Sequence, residues 1–127
     1  MQKRVLDVGN CSADHAAIRS ILQRDFSAQV VRAHGLEDAL AALQADSFDL
    51  VLVNRQLDRD ESDGRAIIQA IKSEPGFESL PVMMIANHAD DQQRAVDAGA
   101  VWGFGKSQLR DPATAQRLRS VLGQSGE

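Results

Sequence analysis

A chain of 127 residues suits one domain built around one hydrophobic core. Its 43% hydrophobic and 25% charged residues are ordinary for a folded globular protein and argue against disorder. A net charge of -4 gives no global basic character for nucleic acid, the single cysteine excludes an intramolecular disulfide framework, and no apolar stretch reaches the roughly 18 residues of a membrane helix.

Val5 to Val8 reads as a short first strand, interrupted by Asp7, and Gly9-Asn10-Cys11-Ser12 as a turn. Ser12 suits an N-cap, with Asp14 in the first turn of a helix that carries Ile18, Ile21, Leu22 and Phe26 at helical spacing. Gln29 to Ala33 reads as a second strand, and Leu36, Ala39, Leu40 and Leu43 mark a second helix ending near Ala45. Leu50-Val51-Leu52-Val53 is an unbroken apolar run, the pattern of a strand covered on both faces, and it ends at Asn54.

An acidic loop, Asp58 to Gly64, leads into a third helix marked by Ile67, Ile68 and Ile71 and stopped before Pro75-Gly76. Asp63 or Ser62 is the expected cap, and the other acids of the loop are expected in solvent, since their spacing does not fit an EF-hand. Pro81 to Ala86 reads as a fourth strand, about Asp90 to Ala98 as a fourth helix ending at Gly99, and Val101 to Gly105 as a fifth, glycine-weakened strand. Asp111-Pro112 opens a last helix with Ala115, Leu118, Val121 and Leu122 inward. Strict alternation of strand and helix implies an α/β fold with a parallel sheet, helices on both faces and right-handed crossovers. The expected domain covers residues 1–123, with 124–127 as a C-terminal tail. The N-terminus has no signal-peptide pattern, so a soluble, cytoplasmic protein is expected.

From about residue 3 to 122 the chain resembles the receiver domain of bacterial response regulators, a CheY-like, flavodoxin-like (βα)5 module with strand order 2-1-3-4-5. Lys3 to Val8, Phe48 to Val53, Leu80 to Ile85 and Ala98-Gly99-Ala100 followed by Lys106 carry the likeness. Asn10 lies 44 positions before Asn54, and Lys106 lies 52 after it, separations that suit the acid pair, phosphoacceptor and lysine of that family.

The resemblance implies two acids after the first strand that hold Mg²⁺ with an acceptor Asp after the third. It also implies a Thr or Ser after the fourth strand and a Lys after the fifth. A carboxylate can accept a phosphoryl group only if cations neutralise the transferring charge. Here those positions hold Gly9-Asn10, Asn54, Ala86 and Lys106, and the aromatic switch position holds Gly103. An amide cannot form an acyl phosphate. The expectation is a degenerate pocket with no catalytic residue, no Mg²⁺ and no other cofactor, with Lys106 bonded to the Asn54 carbonyl oxygen.

The function expected is that of a stand-alone pseudo-receiver in two-component or phosphorelay signalling. It would be no enzyme, binding a histidine kinase, another response regulator or an output protein without being phosphorylated. The alternatives are a phosphorylatable receiver with displaced acids, Asp58 being one candidate nucleophile, and a small-ligand or anion sensor near Lys106. Trp102 and Phe104 alternate with glycines, which places both on one face, and a fourth helix–fifth strand–fifth helix face would serve docking or a homodimer.

Two features lie outside that scheme. Asp7 falls within a buried central strand, where it must sit at the margin, pair with a base or be protonated. Cys11, His15 and His88 all belong near one sheet edge, but without a second cysteine or a matched histidine pair they make a poor metal set.

Overall fold

The computed structural model describes residues 2–123. The expected tail, 124–127, lies outside them. Five strands, β1 (Arg4–Val8), β2 (Gln29–Ala33), β3 (Leu50–Asn54), β4 (Val82–Ile85) and β5 (Val101–Phe104), form one parallel sheet in the order β2-β1-β3-β4-β5. Five helices connect them: α1 (Ser12–Phe26), α2 (Leu36–Ala45), α3 (Gly64–Ser73), α4 (Ala89–Asp97) and α5 (Pro112–Leu122). A short 3₁₀ turn, Lys106–Gln108, precedes α5.

Side chains alternate across the pleat, so the sheet feeds two cores, one on each face. Leu6, Val8, Val51, Val53, Val82 and Met84 pack beneath α2, α3 and α4, against Ala39, Leu43, Ile67, Ile68, Ile71 and Ala95. Val5, Leu50, Leu52, Met83, Ile85 and Phe104 pack beneath α1 and α5, against Ile18, Leu22, Phe26, Leu118 and Leu122. Each fully buried side chain of this size contributes about 1.5–3 kcal/mol of transfer free energy.

The start of α1 differs from the sequence reading, whereas Asp63 proves to be the cap of α3, as one of the two expected candidates. Cys11, not Ser12, occupies the N-cap of α1, with no side-chain cap. The Ser12 hydroxyl instead accepts a hydrogen bond from Arg32, 3.2 Å away on β2. Asp63 caps α3 by accepting from the Arg65 amide at 2.9 Å. On α5 the fully covered positions are Thr114, Leu118 and Leu122, while Ala115 and Val121 are half-buried.

The largest departure is in β5. Met83 pairs with Val101 and Ile85 with Phe104, so three steps on β5 answer two on β4. This bulge shifts the side-chain phase. Phe104 enters the core, whereas Trp102 is 38% exposed, so the two rings do not share a face.

Candidate functional site

The connections at the carboxyl ends of β1, β3, β4 and β5 meet around Asn54, the last residue of β3 and 8% exposed. Its carboxamide nitrogen donates to the Gly9 carbonyl at 3.2 Å and to the Gln56 carbonyl at 2.8 Å. The amide therefore ties the β1–α1 turn to the β3–α3 loop, a task that needs two N–H donors. A carboxylate in the same position would face two carbonyl oxygens.

Gly9 is held with φ 81°, in the left-handed region. A Cβ there would run into the Leu57 side chain. Leu57, in the β3–α3 loop, is buried, and the next residue, Asp58, donates its amide to the Gly9 carbonyl at 2.9 Å. Both backbone strain and Leu57 thus oppose an acidic side chain at this position.

Lys106 does not bond to Asn54. Its ammonium lies 2.7 Å from Asp14 Oδ2, in the first turn of α1. The Cys11 thiol donates to the same oxygen at 3.2 Å. The bond from Lys106, reinforced by Cys11 and opposed by partial burial, holds the Asp14 carboxyl below the usual aspartate range. Asp14 read in sequence only as a helix-terminus acid. Its part in the pocket depends on how α1 packs beside the residues after β5.

At the end of β4, Ala86 is buried and its amide donates to the Phe104 carbonyl at 3.0 Å. The neighbouring Asn87 carboxamide oxygen accepts from the Ser107 amide at 3.2 Å and the Ser107 hydroxyl at 3.0 Å. Behind them lies Gln92 of α4, 3% exposed and unnoticed in the sequence because one glutamine in an amphipathic helix carries no signal. Its side-chain nitrogen donates to the Met84 and Ala86 carbonyls at 2.9 and 3.1 Å, and its oxygen accepts from the Gly103 amide at 2.8 Å. Arg117 of α5 donates to the Gly103 carbonyl at 3.3 Å. Both backbone polar groups of the bulge are therefore held by side chains from the two flanking helices. A Cβ at Gly103 would meet the Met84 carbonyl oxygen, so no aromatic side chain fits there, where the receiver resemblance leads one to expect it.

Asp7 is fully buried on the α1 side of the sheet, and it pairs with a base. One oxygen lies 2.7 Å from His15 Nδ1, and the other accepts from the Asn10 carboxamide. Arg32, opposite Asp7 on β2, donates to the Asn10 carbonyl at 3.1 Å. The Asn10 side chain is thus turned inward, toward Asp7. Cys11 and His15 take separate carboxylates, and His88 is exposed at the N-cap of α4. Among the described residues no group of three His, Cys, Asp or Glu side chains is arranged to hold a metal ion.

Two open cavities flank Lys106. One, about 240 Å³, is lined by Asn54, Arg55, Gln56, Ile85, Ala86 and Asn87. The other, about 280 Å³, includes Cys11, Asp14, Asn54, Asp58 and Glu61. No helix among the described residues is long and apolar enough to cross a membrane.

A family profile described as the response regulator receiver domain matches residues 10–120. The chain is 35% identical over 89 residues to the sensor protein GacS of Pseudomonas syringae pv. syringae, covering 68% of this chain and 10% of that protein. It is 28% identical over 104 residues to a gliding motility regulatory protein of Myxococcus xanthus, covering 80% of this chain and 13% of that one. The chain thus spans only a small part of either relative. Among solved structures, the signal receiver domain of a DNA-binding response regulator from Colwellia psychrerythraea 34H aligns with TM-score 0.80 at 24% identity, covering 97% of this chain and all of that one. The chemotaxis protein CheY4 of Vibrio cholerae aligns with TM-score 0.78 at 21% identity, over 96% of this chain and 100% of that one. At these identities the structural matches speak for the fold alone.

Proposed function

Since the chain belongs to the response regulator receiver domain family of two-component signalling, we propose that it is a pseudo-receiver, a receiver fold that signals by protein contact without aspartyl phosphorylation. The observation that carries this reading is Asn54. Its amide has no carboxylate chemistry, and both carbonyls it binds belong to the loops that would otherwise frame a phosphoryl group. Leu57 fills the space beside Gly9, and Lys106 is committed to Asp14.

Mg²⁺ binding is lost in the same reading. The ion demands a near-octahedral set of hard oxygens, commonly from carboxylates. The positions at the ends of β1 and β3 offer Gly9, Asn10 and Asn54, and Asn10 is turned to Asp7. Partners would be a histidine kinase, another regulator or an output protein. The α4–β5–α5 face, where Val101 and Trp102 are exposed on the edge strand, is the proposed contact for such a partner or for a second copy.

One observation favours a second reading. Asp14 and Asp58 line a cavity with Lys106, which leaves displaced carboxylates near the lysine. Incubation with Mg²⁺ and acetyl phosphate, followed by intact-mass measurement at neutral pH, tests both. The pseudo-receiver predicts no phosphoryl adduct. A stoichiometric adduct mapping to Asp58 or Asp14 would establish the displaced-acid receiver instead.

A further inference from the structure

A cavity of about 540 Å³ beside the site opens between the β3–α3 loop, the first turn of α3 and α4. Three arginines from these three elements line it: Arg55, Arg65 and Arg94. The fold holds their backbones in place. The Arg55 amide donates to the Ile85 carbonyl at 3.1 Å, and its own carbonyl accepts from the Gly64 amide at 2.8 Å. A Cβ at Gly64 would strike the Asn54 carbonyl, so α3 begins hard against the end of β3 and brings Arg65 beside Arg55.

The carboxylates nearby leave these groups incompletely served. Asp91 is shared, 3.9 Å from Arg55 and 3.7 Å from Arg94. Asp63 is 4.0 Å from Arg65 and already accepts from the Arg65 amide at the head of α3. These separations exceed hydrogen-bond length. Glu61, in the left-handed region at φ 59°, adds a third acid to the lining. Guanidinium groups are planar donors suited to bidentate contact with oxyanions. The cavity volume lies within the range of small-molecule sites.

We propose that this cavity binds a small multivalent oxyanion, a phosphate ester or a dicarboxylate, between Arg55, Arg65 and Arg94. Glu61 weakens that binding. The cavity adjoins the pocket at Lys106, sharing Arg55 and Gln56 with it, but Lys106 does not line it, and the proposal does not depend on whether any carboxylate of the chain is phosphorylated.

The experiment is an NMR titration of the ¹⁵N-labelled chain with inorganic phosphate and, separately, with succinate. Sodium chloride at matched ionic strength is the control. Saturable shifts confined to the arginine Nε–H signals of Arg55, Arg65 and Arg94 are expected, and the tighter of the two probes identifies the class of ligand. Arg94→Ala and Arg55→Ala weaken binding by about tenfold, as loss of one charge-assisted contact implies. Glu61→Gln tightens it, and Lys106→Ala leaves it unchanged. Shifts that do not saturate with either anion, that survive Arg94→Ala and Arg55→Ala, or that vanish in Lys106→Ala overturn the proposal.

Discussion

The Lys106 ammonium stands 2.7 Å from the carboxylate of Asp14, one turn into α1. The contact joins the residues after β5 to the helix after β1, and it holds the Asp14 carboxyl below its ordinary value. A carboxyl whose pKa is depressed by folding stabilises the fold fully above the unfolded value, near 3.8, and loses that contribution as pH falls through the lower folded value. Asp14→Asn should therefore be less stable than the parent at pH 7, with the gap closing below about pH 4. Urea unfolding from pH 2.5 to pH 7 measures it. Both partners are partly exposed, so added salt should narrow the gap as well.

Asn54→Asp places an acidic side chain at the end of β3. It exchanges the donor of two hydrogen bonds, to Gly9 and Gln56, for an acceptor facing the same carbonyls. We expect a loss of about 2 kcal/mol at neutral pH, reduced as the new carboxyl is protonated. Treatment with Mg²⁺ and acetyl phosphate should still leave it unmodified, since Gly9 and Asn10 supply no acid. Denaturation curves at pH 7 and pH 3.5, with an intact-mass measurement, check both halves.

The strands and helices were legible because burial imposes periodicity. The run Leu50 to Val53 and the isoleucines of α3 report their environment directly. The resemblance to receiver domains singled out Gly9, Asn54, Ala86 and Gly103, and β–α alternation put the first three where the chain leaves the sheet. Side-chain partnerships were a different matter. Nothing in the spacing of Lys106 and Asp14, or of Gln92 and Gly103, announces contact, because each pair meets only through the packing of a helix against the end of a strand. The β5 bulge was equally hidden. Alternation of Trp102 and Phe104 assumed an unbroken pleat, and one extra residue opposite Met83 to Ile85 reversed the phase.

Asp7 was correctly marked as anomalous, and its partners turn that anomaly into a test. The fully buried carboxylate rests on His15 and Asn10. His15→Ala strands one oxygen without a donor and should cost about 3 kcal/mol. Asp7→Leu combined with His15→Leu removes both members and should recover a large part of that loss. A double-mutant cycle by chemical denaturation gives the coupling, and strict additivity of the two single changes would refute it.

Gln92 provides the last prediction, because its two amide ends hold β4 and the β5 bulge together. Gln92→Leu keeps the bulk but leaves the Gly103 amide and the Met84 and Ala86 carbonyls without this partner, at a cost of about 2–3 kcal/mol. Gly103→Ala attacks the same joint from the other side, driving a methyl group toward the Met84 carbonyl. If the bulge is what turns Trp102 outward, both variants should change the environment of that single tryptophan before the rest of the fold yields. Trp102 fluorescence and backbone circular dichroism should then give separate unfolding transitions, the fluorescence change coming first. Coincident transitions in both variants would mean that the bulge and the core form one cooperative unit, and that Gln92 acts on global stability alone.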